Sequence, residues 1–77
     1  MLIGEFIYDV LNMDNIREQF LTEVCFTTKY YKVVLRRLHI TDMRLQDDYL
    51  IIKLNDGRTQ KLYVTDDLQY ETRKIDF

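Results

Sequence analysis

The sequence predicts an α+β fold: one or two N-terminal helices packed on a three- to four-stranded antiparallel β-meander, with a short C-terminal helix or edge strand. Two patterns predict it. Apolar residues recur at helical spacing near the N-terminus, and three β-rich runs separated by two acidic turn signals fill residues 38–64. With 77 residues, the chain has the length of a single domain, 1–77, with a modest core.

The first element is a helix over about residues 3–12. Its apolar stripe has helical spacing, and Glu5, Asp9 and Asn12 fall together on the other side. A strand is the alternative, because alternate residues from Phe6 to Val10 are also apolar and Gly4 costs a helix about 1 kcal/mol. The helical stripe consists of Ile3, Phe6, Ile7, Val10 and Met13.

A second helix is expected over about residues 16–25. Asn15 followed three residues later by Glu18 fits a variant of the capping box. Apolar residues follow on one face, namely Ile16, Phe20, Leu21 and Val24. The two stripes run almost in phase, so one continuous helix over 3–25 remains an alternative, although the polar residues between 12 and 15 favour a break.

Residues 30–40 have an extended pattern whose parity changes partway. Apolar side chains alternate up to Leu35, and Leu38 and Ile40 then take the opposite parity. Such a change needs a bulge or bend, and Arg36-Arg37 lies at that point. We therefore expect a bulge that points both arginines outward.

The hairpin that follows has a preferred register. With Asn55-Asp56-Gly57 as a three-residue loop and Gly57 in the left-handed region, Leu50 faces Leu62. A two-residue loop would scatter the apolar side chains over both faces. The preferred register predicts a buried face made of Leu50, Ile52, Leu54, Leu62 and Val64. The opposite face then carries Tyr49, Ile51, Lys53, Thr59, Lys61 and Tyr63.

The last segment has acidic residues in front and basic ones behind. Thr65-Asp66-Asp67 precedes it and Arg73-Lys74 closes it, which complements a helix dipole. We expect a short helix near 67–75, and an edge strand over 70–75 is the alternative.

Four motifs between residues 38 and 68 follow in a fixed order: Ile40-Thr41-Asp42, Asp47-Asp48-Tyr49-Leu50, Leu54-Asn55-Asp56-Gly57-Arg58 and Asp67-Leu68. This stretch resembles a small bacterial β-meander domain family of unknown function, which carries an I-T-D, D-D-Y and F-x-D-G succession. Members of that family are often encoded beside a toxin-like partner. The resemblance implies a meander fold and a protein partner, and no activity.

Composition excludes the usual catalytic sets. The chain has no serine, one histidine, His39, and one cysteine, Cys25, so neither a Ser-His-Asp triad nor a metal cluster of recognised spacing can be assembled. We predict no enzyme activity, no metal and no cofactor. A single cysteine, no cleavable signal pattern and no membrane-spanning apolar run predict a cytoplasmic protein without a membrane partner.

Charge is distributed unevenly along the chain. Residues 29–44 carry five bases and one acid, whereas residues 1–28 carry five acids and one base. The basic segment could stack and pair nucleic acid through Tyr30, Tyr31, Arg36, Arg37 and His39. The formal net charge of −2 disfavours this function, because neutralising backbone phosphates dominates such affinity.

Tyrosine is the most informative residue type. Six tyrosines occur, and exposed amphipathic rings grouped together often mark a contact surface. The candidate protein-binding residues are Tyr31, Tyr49, Tyr63, Arg36 and Arg37. We therefore predict a small non-enzymatic protein that binds and regulates a larger protein partner, with inhibition as one mode of action, as in a phage or mobile-element inhibitor or an antitoxin-like protein. A nucleic-acid-associated module is the alternative, and an exposed sheet edge could pair two copies as a homodimer.

Overall fold

The computed structural model describes residues 2–76 and confirms the α+β class. Two helices come first, and strands follow in the rest of the described chain. A 3₁₀ turn, Arg37–His39, separates the second and third strands. The helices are α1 (Ile3–Leu11) and α2 (Ile16–Phe20). The strands are β1 (Thr22–Thr27), β2 (Lys32–Arg36), β3 (Ile40–Gln46), β4 (Tyr49–Leu54), β5 (Thr59–Tyr63) and β6 (Gln69–Lys74).

The strands form two antiparallel three-stranded sheets instead of the single meander expected. The first sheet has the order β2-β1-β6, and the second has the order β3-β4-β5. The chain passes directly from β2 through the 3₁₀ turn into β3, and it returns from the second sheet to pair β6 with β1. The predicted meander is therefore the second sheet, and the first sheet is additional.

The core lies where α1 and the inner faces of both sheets meet. Phe6 of α1 contacts Phe26 of β1 edge to face, with ring centroids 5.9 Å apart, and its ring centroid lies 4.9 Å from that of Tyr70 on β6. Aromatic pairs in such tilted geometry contribute beyond the area they bury. The buried cluster consists of Phe6, Ile7, Val10, Val24, Phe26, Ile40, Met43, Leu50, Ile52 and Leu62.

The β4–β5 hairpin has the predicted register. Leu50 lies opposite Leu62, and Leu54 and Arg58 flank the three-residue loop, with the Leu54 N–H donating to the Arg58 carbonyl over 2.9 Å. Gly57 has a φ of 90°, in the region that only glycine adopts without strain. The predicted inner face is buried or half-buried, and the opposite face is exposed except for the half-buried Ile51.

The prediction of a helix over 16–25 is wrong beyond Phe20. The Asn15 side chain does cap α2, since its Oδ1 accepts from the Glu18 N–H over 3.1 Å. Residues 22–27 form β1, the central strand of the first sheet, where Val24 and Cys25 are both buried although they point to opposite faces. A strand buried on both faces loses the alternating pattern that distinguishes it from a helix.

The C-terminal segment is the edge strand β6, so the expected helix near 67–75 is wrong and the strand alternative is correct. β6 completes the free side of β1, with Phe26 opposite Tyr70. Asp67 caps no helix. Its carboxylate accepts from the Thr65 hydroxyl and from the Lys29 N–H, the latter over 2.9 Å.

The expectation of a bulge with two outward-pointing arginines is wrong for Arg37. This residue lies in the 3₁₀ turn and is 7% exposed. Its Nε donates to the Val10 carbonyl and its Nη1 to the Ile40 carbonyl, each over 2.7 Å. Burial lowers the pKa of the Arg37 guanidinium. The side chain therefore joins the end of α1 to the start of β3.

Candidate functional site

The second sheet has one face against the core and one face toward solvent. Side chains alternate between the two faces along β3, β4 and β5, so every second side chain points away from the core. We call the solvent side the outer face. It consists of Asp42, Arg44, Gln46, Tyr49, Ile51, Lys53, Thr59, Lys61 and Tyr63.

Two tyrosines form the aromatic end of the outer face. Tyr49 and Tyr63 lie directly opposite each other on β4 and β5, and their ring centroids are 5.4 Å apart in edge-to-face geometry. The Lys61 ammonium lies 4.3 Å from the centroid of the Tyr49 ring, which is a cation–π contact. The rings are still 36% and 50% exposed, so this ordered aromatic cluster remains accessible.

The next row of the outer face places an aliphatic side chain between two cations. Arg44 on β3, Ile51 on β4 and Lys61 on β5 are direct cross-strand neighbours. Lys53 follows one row further along β4. Within residues 2–76, no carboxylate oxygen lies within 4.0 Å of the charged groups of Arg44, Lys53 or Lys61. These positive charges are therefore not neutralised by a carboxylate of the described residues, and Lys61 contacts only the Tyr49 ring among the interactions described above.

Tyr31, the third tyrosine predicted for this surface, lies outside the outer face and contacts the backbone of one of its residues. Its hydroxyl donates to the Tyr63 backbone carbonyl over 2.9 Å, and the residue is half-buried against the core. Burial, together with the negative charge of Asp67, raises the Tyr31 pKa. Tyr31 thus fixes the end of β5 and positions Tyr63, and it is not part of the outer face.

The residues predicted for nucleic-acid binding do not come together in one place. Tyr30 lies in the β1–β2 loop and is 77% exposed. Arg36 lies on the first sheet with its guanidinium carbon 5.5 Å from the centroid of the Phe20 ring. Arg37 is buried, and His39 lies exposed at the end of the 3₁₀ turn.

Sequence reasoning missed the three β3 residues of the outer face, Asp42, Arg44 and Gln46, and of these Arg44 adds a cation. The hairpin pattern placed Ile51, Lys61 and the two tyrosines on one face, but Arg44 joins them only through the β3–β4 register. Its parity relative to the buried Met43 was the available signal, because neighbouring residues of a strand point to opposite faces.

A recess outside this face surrounds the only cysteine of the chain. It has a volume of about 350 Å³ and is lined by Cys25, Thr27, Gln69, Tyr70 and Glu71. The thiol itself is buried and accepts from the Arg73 Nε over 3.2 Å. Among residues 2–76, no group of three or more His, Cys, Asp or Glu side chains could hold a metal ion.

Comparison with known proteins does not add to this description. In the described part of the chain, no helix is long and apolar enough to cross a membrane. No protein-family model, curated protein or solved structure matches the chain. The outer face is therefore identified as the candidate functional site from its geometry alone.

Proposed function

We propose that this chain is a non-enzymatic regulatory protein that binds a larger protein partner through the outer face of the β3–β4–β5 sheet. The observation that carries the proposal is the exposed Tyr49–Tyr63 pair, held in fixed geometry beside Lys61. Tyrosine supplies a large amphipathic contact area, and it is enriched where binding energy concentrates in protein interfaces.

The rigidity of the face also supports a role in binding. Tyr31 holds the backbone at Tyr63, and the Val64 N–H donates to the Asp48 carbonyl over 2.8 Å. The C-terminal end of β5, at Tyr63 and Val64, is therefore attached both to the β1–β2 loop and to the β3–β4 turn. A surface that is already ordered loses less conformational entropy on association, which favours affinity.

The geometry favours a protein over a nucleic acid as the partner. Bases stack on free aromatic ring faces, whereas Lys61 lies over Tyr49 and the two rings contact each other. The net charge of −2 also opposes attraction to a phosphate backbone. The protein then acts by occupying a surface of its partner, as a phage or mobile-element inhibitor or an antitoxin-like protein does.

Affinity capture with matched tyrosine variants tests the proposal. The tagged wild-type chain is expected to retain one stoichiometric protein from a nuclease-treated lysate of the cells that encode it. The double variant Tyr49→Ser with Tyr63→Ser should lose it, because each buried interface tyrosine contributes about 1.4 kcal/mol or more, a factor of about ten in affinity.

The control replaces two exposed tyrosines away from the outer face. Tyr8 and Tyr30 are 68% and 77% exposed, so Tyr8→Ser with Tyr30→Ser removes as much aromatic surface. This variant should capture the partner like the wild type, and circular dichroism should show that both variants fold. Equal capture by both double variants would contradict the proposal, as would a complex that disappears on nuclease treatment.

A further inference from the structure

We infer that the outer face recognises an acidic amphipathic helix, one that presents an apolar side chain between two carboxylates. The inference rests on the proposed function and specifies its partner. It follows from the row Arg44, Ile51 and Lys61, in which an aliphatic side chain lies between two cations that have no carboxylate partner within residues 2–76.

The spacing of the two backbone positions that carry the cations sets the geometry of the partner. Arg44 and Lys61 lie on the two strands that flank β4, and neighbouring strands are about 4.8 Å apart, so the two backbone positions are separated by about 10 Å. A helix rises 1.5 Å per residue, and residues i and i+7, which share one face, are therefore about 10.5 Å apart. Two acidic residues at this spacing match the backbone positions of Arg44 and Lys61 when the helix lies across the strands, and the long side chains of both cations can reach them.

The apolar part of the row sets the residue between the two acids. A side chain at i+3 or i+4 of the same helix lies on the same face, midway between the acids. It would cover Ile51, which is half-buried in the free protein. Tyr49 and Tyr63 lie one row away and would border this contact. Ile51 is the one aliphatic residue of the outer face, and this contact would give it an apolar partner.

The partner is acidic because the charges of this row are positive and, within residues 2–76, no carboxylate lies within 4.0 Å of them. Lys53, one row away, adds a third cation, and Asp42 is its direct cross-strand neighbour on β3. Electrostatic matching of this kind selects partners and accelerates their encounter more than it raises affinity. Binding should therefore weaken with added salt, since the Debye length at 0.1 M salt is about 10 Å.

Three alanine-rich helical peptides of equal length serve as probes. The first has Glu at i and i+7 with Leu at i+3 and i+4. The second has Lys in place of both Glu residues, and the third has Ser in place of both Leu residues. Binding to the full chain is followed by NMR titration, which reports affinity and the position of the contact. The first peptide should shift the amides of Arg44, Ile51 and Lys61, and it should bind about ten times more tightly than the second.

A charge-reversal variant and its control complete the test. Arg44→Glu with Lys61→Glu should reverse the preference, so that the lysine peptide binds more tightly than the glutamate peptide. Lys32→Glu with Lys74→Glu makes the same charge change on exposed positions of the first sheet and should leave the preference unchanged.

Four results would overturn the inference. They are no binding of the acidic peptide at millimolar concentration, equal binding of the first and third peptides, a preference that persists after charge reversal, and tighter binding of the oligonucleotide (dT)₂₀ than of the acidic peptide. The proposed function can fail or survive separately. If Arg44→Glu with Lys61→Glu still captures the cellular partner while the tyrosine variant does not, the protein-binding function holds and the acidic-helix inference is wrong.

Discussion

Replacing Arg37 by methionine should remove a large part of the stability of the fold. The Arg37 Nε and Nη1 each donate over 2.7 Å, to the Val10 and Ile40 carbonyls respectively. Within residues 2–76, no carboxylate lies within 4.0 Å of the guanidinium. Its stabilising contacts are therefore these bonds and its favourable position as a cation at the C-terminal end of α1. Methionine fills a similar length without donating.

The expected loss follows from these two bonds. A hydrogen bond from a charged donor contributes about 1.5–3 kcal/mol, so two bonds contribute about 3–6 kcal/mol. Removing a buried cation and burying methionine offset part of this. We expect a loss of about 3 kcal/mol, against a total free energy of unfolding of about 4–12 kcal/mol for a chain of this length. The corresponding fall in Tm is about 12–24 °C.

Urea denaturation followed by far-UV circular dichroism measures this change. The slope of the free energy of unfolding against urea concentration shows whether unfolding stays two-state. Arg37→Lys should be intermediate, because an ammonium group lacks the planar fork that reaches both carbonyls. Arg44→Met is the control and should change stability by less than about 0.5 kcal/mol, since Arg44 is exposed. If Arg37→Met and Arg44→Met have the same stability, the buried guanidinium does not stabilise the fold.

Three further predictions follow from single positions. Gly57→Ala should destabilise the fold by about 1–2 kcal/mol because the φ of Gly57 is 90°. Gly4→Ala should stabilise it by up to about 1 kcal/mol, because alanine favours a helix and nothing lies within 4 Å of the added carbon. Equal effects of the two substitutions in thermal melts would contradict this. Asn15→Ala removes the cap on α2 and should cost about 1 kcal/mol in the same melts, and no loss would show that the cap is dispensable. Hydrogen bonds from the Thr65 hydroxyl and then from the Lys29 backbone N–H lower the pKa of Asp67. The Asp67 carboxylate therefore stabilises the folded protein above its unfolded pKa of about 3.9, and this contribution is lost as the pH falls from there through the lower folded pKa. Urea midpoints from pH 7 to 3 should fall less for Asp67→Asn than for wild type, and parallel curves would refute this.

The parts of the fold that the sequence determines are those with local causes. Gly57 allows the turn of the β4–β5 hairpin, and alternation on either side of it fixes which residues face the core. Asn15 and Glu18 start α2 at the predicted place. The pairing of Tyr49 with Tyr63 follows from the same register, so this part of the candidate site could be predicted from the sequence.

The sequence was ambiguous for two strands. One lacks the alternating apolar pattern because it is buried on both faces, and the other is exposed and has a charge order typical of a helix. β1 is buried on both faces, so its continuous apolar run could equally belong to a helix. β6 is an edge strand whose charges happen to be ordered as in a capped helix. In both cases the pairing between Cys25 and Glu71, far apart in the chain, selects the strand.

The sequence by itself determined the class, the three-stranded meander and the tyrosine pair, and it favoured the first helix over a strand, because each depends on residues only a few positions apart. The tertiary structure decided the second sheet, the burial of Arg37 and the row of Arg44, Ile51 and Lys61. Those features depend on which distant segments meet. That choice is made by the packing of α1 and both sheets around one core, where the whole set of contacts outweighs local preference.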